Sequence, residues 1–154
     1  MNKETYNSYS GYLTTFNPEY LKIIVRKCSR KINWLQSKKK VIFDAIAFSG
    51  ESGGSVSYPL SFKTGIPFIC VRKFGTITHG KRIEGPDKPV NKYLIIDDCI
   101  DSGNTVKYIV EEITKYTNGK SKCAGVLLYI DVYPKEDRYR TITISNSRVN
   151  IYCF

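Results

Sequence analysis

Four short apolar runs, separated by helical or polar stretches, constrain this chain's fold more than any other feature. They are VIFDAIAF (41–48), PFICVR (67–72), KYLIID (92–97) and CAGVLLYI (123–130). Each is close to continuously apolar, as expected of strands covered on both faces in a parallel sheet. The intervening segments supply the covers. Residues 18–39 carry Leu21, Ile24, Val25, Cys28, Ile32 and Leu35 at helical spacing, and Asn17-Pro18 suits a helix start. A short helix, VSYPLSFKTG, is predicted to close at Gly65, and a third runs from about Asn104 to Tyr116 and ends near Asn118-Gly119. Two alternating runs, RTITIS and RVNIYCF, predict a hairpin around Ser145-Asn146. The expected fold class is α/β, a parallel sheet with helices on both faces, in one domain spanning 1–154. At 154 residues such a domain buries a core without disulfide staples.

In sheets of this kind ligands gather beyond the carboxyl ends of the strands. Two polar, glycine-containing stretches, SGESGGS (49–55) and DDCIDSGNT (97–105), fall at such ends. The second joins an apolar strand to a helix. Its small residues, Ser102 and Gly103, let the helix's unpaired N-terminal amides approach a phosphate, and the Ser102 and Thr105 hydroxyls can donate as well. Asp97 and Asp98, just before this pocket, would repel the same phosphate. They therefore call for another partner, sugar hydroxyls or Mg²⁺. A phosphorylated sugar fits both demands, whereas any one of these residues alone could be a turn former or helix cap.

Charge and cysteine content bound the remaining possibilities. The formal net charge is +10, with a cluster at Arg26-Lys27, Arg30-Lys31 and Lys38-Lys39-Lys40. It favours polyanions, either nucleic acid or a phosphate-rich small ligand. Five cysteines in no CxxC spacing imply reduced, mostly buried thiols and a cytoplasmic location. No run is long enough to span a membrane, and the polar start MNKETYNSYSGY is unlike a signal peptide.

The run YLIIDDCIDSGNT (93–105) resembles the phosphoribosyl diphosphate (PRPP) signature of the type I phosphoribosyltransferases. That pattern is four apolar residues, two acids, two apolar residues, an acid or small residue, then Ser/Thr-Gly-x-Thr. Cys99 stands at one aliphatic position, a mild departure for a thiol that packs as a small hydrophobe. The resemblance extends from about Val41 to Asp131, with a hood from the chain ends, 1–40 and 132–154, flanking that core. It implies transfer of the 5-phosphoribosyl group of PRPP to a nitrogen heterocycle, with release of pyrophosphate and dependence on Mg²⁺. Asp97 and Asp98 would hold the ribose hydroxyls, directly or through Mg²⁺. Asp101, Ser102, Gly103, Asn104 and Thr105 would hold the 5-phosphate, and Asp101 would accept the proton of the base. Ser49, Gly50, Glu51, Ser52 and Gly53 would form a loop around the pyrophosphate, with Arg72, Lys73, His79 and Lys81 supplying positive charge. Many members are homodimers, which is the expectation here.

The acceptor base stays open. The THG of 78–80 is similar to orotate-type enzymes, yet Asp131 is followed by Val132 where they carry an Asp-Arg pair. Asp131 and Tyr133 are candidates to meet the base, with Tyr129 and Phe154 as further stacking partners. The competing function is a non-catalytic homologue that senses PRPP or nucleotide and binds RNA or DNA through its basic surface.

Overall fold

The computed structural model describes residues 8–73, 75, 81–130 and 140–154. Seven strands form one sheet in the order β3-β2-β1-β4-β5-β7-β6. They are β1 (Ala45–Ser49), β2 (Phe68–Val71), β3 (Ile83–Glu84), β4 (Lys92–Asp97), β5 (Lys122–Leu128), β6 (Arg140–Ile144) and β7 (Ser147–Tyr152). The five central strands pair in parallel, and the two edge strands, β3 and β6, run antiparallel to their neighbours. Three helices cover the sheet: α1 (Pro18–Ser37), α2 (Gly50–Thr64) and α3 (Asn104–Tyr116).

Residue alternation in the strands divides the core into two layers. Ile46, Leu94, Ile96 and Leu127 face α1 and α2, meeting Val25, Cys28, Ile32 and Leu35 from the first and Val56 and Leu60 from the second. Ala45, Ala47, Tyr93, Ile95, Val126 and Leu128 face α3, which presents Val106, Ile109 and Ile113. Apolar runs and helical spacing thus led to the α/β sheet covered on both faces. The start of α1 also follows its sequence, with the Asn17 side chain accepting the Glu19 amide at 2.9 Å and Pro18 in the first turn.

Several elements differ from expectation. Residues 41–44 lie outside β1. Asp44 instead accepts the backbone amides of Asn91 and Lys92, both at 3.0 Å, and so fixes the entry to the strand. SGESGGS is not a loop: α2 begins at Gly50 and continues to Thr64, with Pro59 inside it. Glycine, serine and proline are poor helix formers, so the sequence understates this helix. Packing sustains it, since a Cβ on Gly53 would lie 2.7 Å from Phe48 Cβ and 2.9 Å from the Ile96 carbonyl oxygen. β3, only two residues long, left no periodic signal. Cys28 and Cys153 are buried, but Cys70, Cys99 and Cys123 are only partly so.

The chain ends assigned to a hood take definite places. α1 covers one face of the sheet, and β6 and β7 extend it beyond β5, with the hairpin turn at Ser145-Asn146, both in positive φ. A 3-10 helix, Ser8–Phe16, leads into α1. No helix among the described residues is long and apolar enough to cross a membrane.

Substituting Gly53→Ala is expected to cost about 1–3 kcal/mol in denaturant unfolding, because the added methyl meets backbone and Cβ atoms that cannot swing away. Gly119→Ala is the contrasting case, with nothing within 4 Å of the added methyl, so that its cost comes from the positive φ of 73° alone. Unchanged or higher stability in Gly53→Ala, as helix propensity alone would give, would refute the packing role of Gly53.

Candidate functional site

The candidate site forms where β4 ends. Asp97 closes the strand and Asp98 follows it, and both are buried, with relative exposures of 4% and 7%. Asp97 Oδ1 accepts the Ser52 hydroxyl at 3.1 Å and the Asp98 amide at 3.0 Å. Desolvation, followed by the neighbouring Asp98 charge, pushes the Asp97 carboxyl up to about 7. Withdrawn from water beside a second acid, the Asp97 carboxyl favours holding a proton or gaining a cation.

From Asp98 the chain crosses 99–103 and enters α3 through Gly103, whose φ of 77° suits glycine. No side chain caps this helix. Asn104 N makes only a long 3.4 Å contact with Ser102 Oγ, so the first-turn amides remain available to an anion. A cavity of about 320 Å³ lies between the carboxylates and this helix end, lined by Ser52, Lys73, residues 97–106 and Tyr12. It brings together Asp97, Asp98, Asp101, Ser102, Gly103, Asn104 and Thr105, the whole set expected for ribose and 5-phosphate. Cys99 also lines it, its thiol pushed up to about 11 by desolvation and then by Asp98, and so protonated at neutral pH.

The residues expected around a pyrophosphate are distributed differently. Gly50, Glu51, Arg72 and Lys73 line a second cleft of about 230 Å³, and Lys73 belongs to both cavities. The Lys73 side chain lies across Gly50, so that a Cβ there would be 2.4 Å from its Cε. Ser52 faces the first cavity through its bond to Asp97, whereas Gly53 is packed inside α2. Ser49 Oγ is buried without a hydrogen-bond partner. The Arg72 guanidinium grips both carboxylate oxygens of Glu84, at 2.8 and 2.9 Å, and its carbonyl accepts the Tyr108 hydroxyl at 2.9 Å. Lys81 is exposed and lines neither cavity. His79, Asp131 and Tyr133 lie outside the described residues.

Two stacking candidates are placed elsewhere. Tyr129 is buried and donates its hydroxyl to the Ser52 carbonyl at 2.6 Å, which makes it a tie between β5 and α2. Phe154 packs beside α1, 5.6 Å from Lys27 Nζ. Tyr12 is the aromatic residue that reaches the cavity. Its segment is fixed by Thr15, whose Oγ1 lies 2.6 Å from the Tyr12 carbonyl and 2.8 Å from Ser55 Oγ. A 3-10 helix carries no amphipathic signature, so no residue pattern announces this contact.

For Mg²⁺, Asp97 and Asp98 offer two adjacent hard oxygen ligands whose mutual repulsion a cation would relieve. No group of three or more metal-ligating side chains exists among the described residues. A pair of carboxylates suits Mg²⁺, which commonly takes one or two and completes its shell with water and substrate oxygens.

No family model matches the chain, and no curated protein matches it. Solved structures do. UMP synthase from Leishmania donovani superposes with a TM-score of 0.53 and 23% identity, over 73% of this chain and 22% of that one. Orotate phosphoribosyltransferase from Francisella tularensis gives 0.52 and 22% identity, over 71% and 51%. Adenine phosphoribosyltransferase from Saccharomyces cerevisiae, in complex with adenine and an imino-altritol bisphosphate, gives 0.59 and 16% identity, over 89% and 79%. The chain spans about half or less of the first two structures' length. The fold is that of the type I phosphoribosyltransferases.

The raised Asp97 carboxyl has a consequence for stability. A carboxyl near 7 in the folded protein, against about 4 in an unfolded chain, binds its proton more tightly when folded. Its contribution is whole below about pH 4 and is lost as pH rises through about 7. Asp97→Asn keeps an oxygen acceptor for Ser52 and Asp98 but cannot ionise. Its Tm advantage over wild type is expected to grow between those limits and level off above them. Parallel Tm profiles of the two proteins would overturn the assignment.

Proposed function

We propose that this chain is a phosphoribosyltransferase, displacing the pyrophosphate of PRPP with a nitrogen of a nucleobase or related heterocycle. One arrangement carries the reading: paired buried carboxylates and an uncapped helix N-terminus facing one cavity. Few ligands ask for both, and a sugar carrying a phosphate does. The fold neighbours include enzymes named for orotate and for adenine, which supports a heterocyclic acceptor without choosing one.

The α3 amides and the Ser102 and Thr105 hydroxyls hold the 5-phosphate, anchoring the substrate at the end remote from the reaction. Asp97 and Asp98 take the ribose hydroxyls, and Ser52 fixes the Asp97 carboxylate in place. Mg²⁺, held by Asp97, Asp98 and substrate oxygens, would supply positive charge against the departing pyrophosphate. Lys73 lies between the two cavities, where it can accompany that charge into the cleft containing Gly50 and Arg72. The C1–O bond breaks with its electron pair leaving on pyrophosphate, and the base nitrogen's lone pair forms the new C1–N bond. Asp101, on the cavity wall, accepts the proton that nitrogen sheds. Stabilising charges aimed at the ribosyl cation and the leaving group lower the barrier most. The homodimer suggested by the resemblance would find a contact surface along α2, where Tyr58 and Phe62 are 51% and 94% exposed.

The test is pyrophosphate release from PRPP and Mg²⁺ with adenine, guanine, hypoxanthine, xanthine, uracil, orotate or nicotinamide. One base is expected to support turnover. Asp101→Ala should lower kcat about a hundredfold or more, and Asp97→Asn with Asp98→Asn should abolish activity. Full turnover in the double variant would refute the ribose assignment, and silence with every base would refute transfer to these acceptors.

A further inference from the structure

A second cavity lies on the α1 side of the sheet and shares no lining residue with the candidate active site. It is a groove of about 540 Å³ between α1 and β7, lined among others by Lys31, Trp34, Lys39, Asn150, Tyr152 and Phe154. It exists because the two helices on that face do not cover β7. Ile151 turns toward the opposite layer, while Tyr152 and Phe154 border the α1 layer. Gly125, at φ 153°, makes room for the Tyr152 ring, since a Cβ there would lie 2.5 Å from Tyr152 Cε2.

Aromatic rings and cations are interleaved along the groove. Lys31 Nζ lies 4.7 Å and Lys39 Nζ 5.2 Å from the centre of the Trp34 ring, and Lys27 Nζ lies 5.6 Å from that of Phe154. Lys27, Lys31, Trp34 and Lys38 follow one another at helical spacing, a stripe about 16 Å long. Among the described residues no acid lines the groove. The only acidic residue of α1, Glu19, sits at the far end of the helix, bonded to Lys22 at 2.9 Å. Between Tyr20 and Phe43 the chain carries eight Lys or Arg residues and no Asp or Glu.

From these features we infer that the α1–β7 groove is a binding site for single-stranded nucleic acid, with bases stacking on Trp34 and Phe154 and phosphates lying along the lysine stripe. Aromatic rings set among cations are the recurring device of sequence-tolerant single-strand binding. The lysines now over the rings are flexible enough to move onto phosphates as bases take their place. Double-stranded nucleic acid keeps its bases stacked inside and could use only the charges. This inference does not depend on phosphoribosyl transfer.

Trp34 is the only tryptophan in the chain, so fluorescence excited at the red edge, where tyrosine does not absorb, reports on this groove alone. Titration with a decamer of oligouridylate is expected to quench it saturably, with an affinity that falls steeply as salt rises. Saturating PRPP should leave the quench unchanged. Trp34→Ala, at a partly exposed position, should weaken binding of a labelled decamer about tenfold or more, followed by anisotropy with circular dichroism to confirm the fold. Lys31→Ala with Lys39→Ala should weaken it and flatten the salt dependence. Any of four results would overturn the inference: no quench, equal affinity for a duplex, displacement by PRPP, or a Trp34→Ala variant that binds as tightly as wild type. Equal quenching by uridine monophosphate would also overturn it, pointing to a mononucleotide site instead.

Discussion

Placing Asp97 and Asp98 side by side at the buried end of β4 is the constraint around which the rest of this structure is arranged. Desolvating one carboxylate is unfavourable, and a second beside it adds repulsion that a low-dielectric surrounding screens poorly. Stability alone would not select such a pair. The fold limits the penalty with one hydroxyl from Ser52 and one backbone amide, and leaves the remainder as a raised proton affinity on Asp97. Asp44 shows the contrast. Although its burial works the other way, amides of Asn91 and Lys92 and the Asn91 side chain hold it below the ordinary carboxylate range. The same fold therefore contains one acid satisfied by structural bonds and another left under-satisfied at a cavity.

Ser52 connects that pair to the rest of the molecule. Its hydroxyl donates to Asp97, while its carbonyl accepts the Tyr129 hydroxyl and, at 3.2 Å, the Ser55 hydroxyl. Ser55 lies within hydrogen-bond distance of Thr15, at the end of the segment that brings Tyr12 to the cavity. One short turn of α2 therefore joins β4, β5 and the N-terminal 3-10 helix. The close packing of Gly53 on Phe48 and Ile96 belongs to the same arrangement, because it brings the turn near enough for Ser52 to reach Asp97.

The parts of the protein visible in its sequence are those whose signal is local and periodic. KYLIID matches β4 residue for residue, and the spacing of Val106, Ile109 and Ile113 defines α3. The acidic stretch and the helix it enters were legible because a strand, a tight turn and a helix start each leave their own residue types in order. SGESGGS reads as a loop yet folds as a helix because its glycines answer to tertiary packing: backbone propensity predicts a loop, while Phe48 requires a surface without side chains. The Arg72–Glu84 pair depends on β3, too short to announce itself, and Tyr12 reaches the cavity through contacts 40 residues apart in sequence. Tyr129 has a composition suited to stacking on a base, but its depth in the core gives it a different use.

The distribution of charge completes the argument. A net charge of +10 suggests a strongly cationic active site, yet the geometry there is more economical. Arg72 is engaged by Glu84, and Arg82 and Lys115 both lie near Glu112, at 3.6 and 3.0 Å. In the proposed reaction, anion binding at the candidate site would rest on helix-end amides, fixed groups that lose little entropy when a phosphate arrives, with Lys73 beside them. Much of the surplus lies on α1 and on Lys38, Lys39 and Lys40 just after it, beside an aromatic groove that shares no residue with that cavity. Oriented amides suit one small phosphorylated ligand held in register. A stripe of flexible lysines suits a polyanion that need not be held in one register, so the two regions answer to different partners.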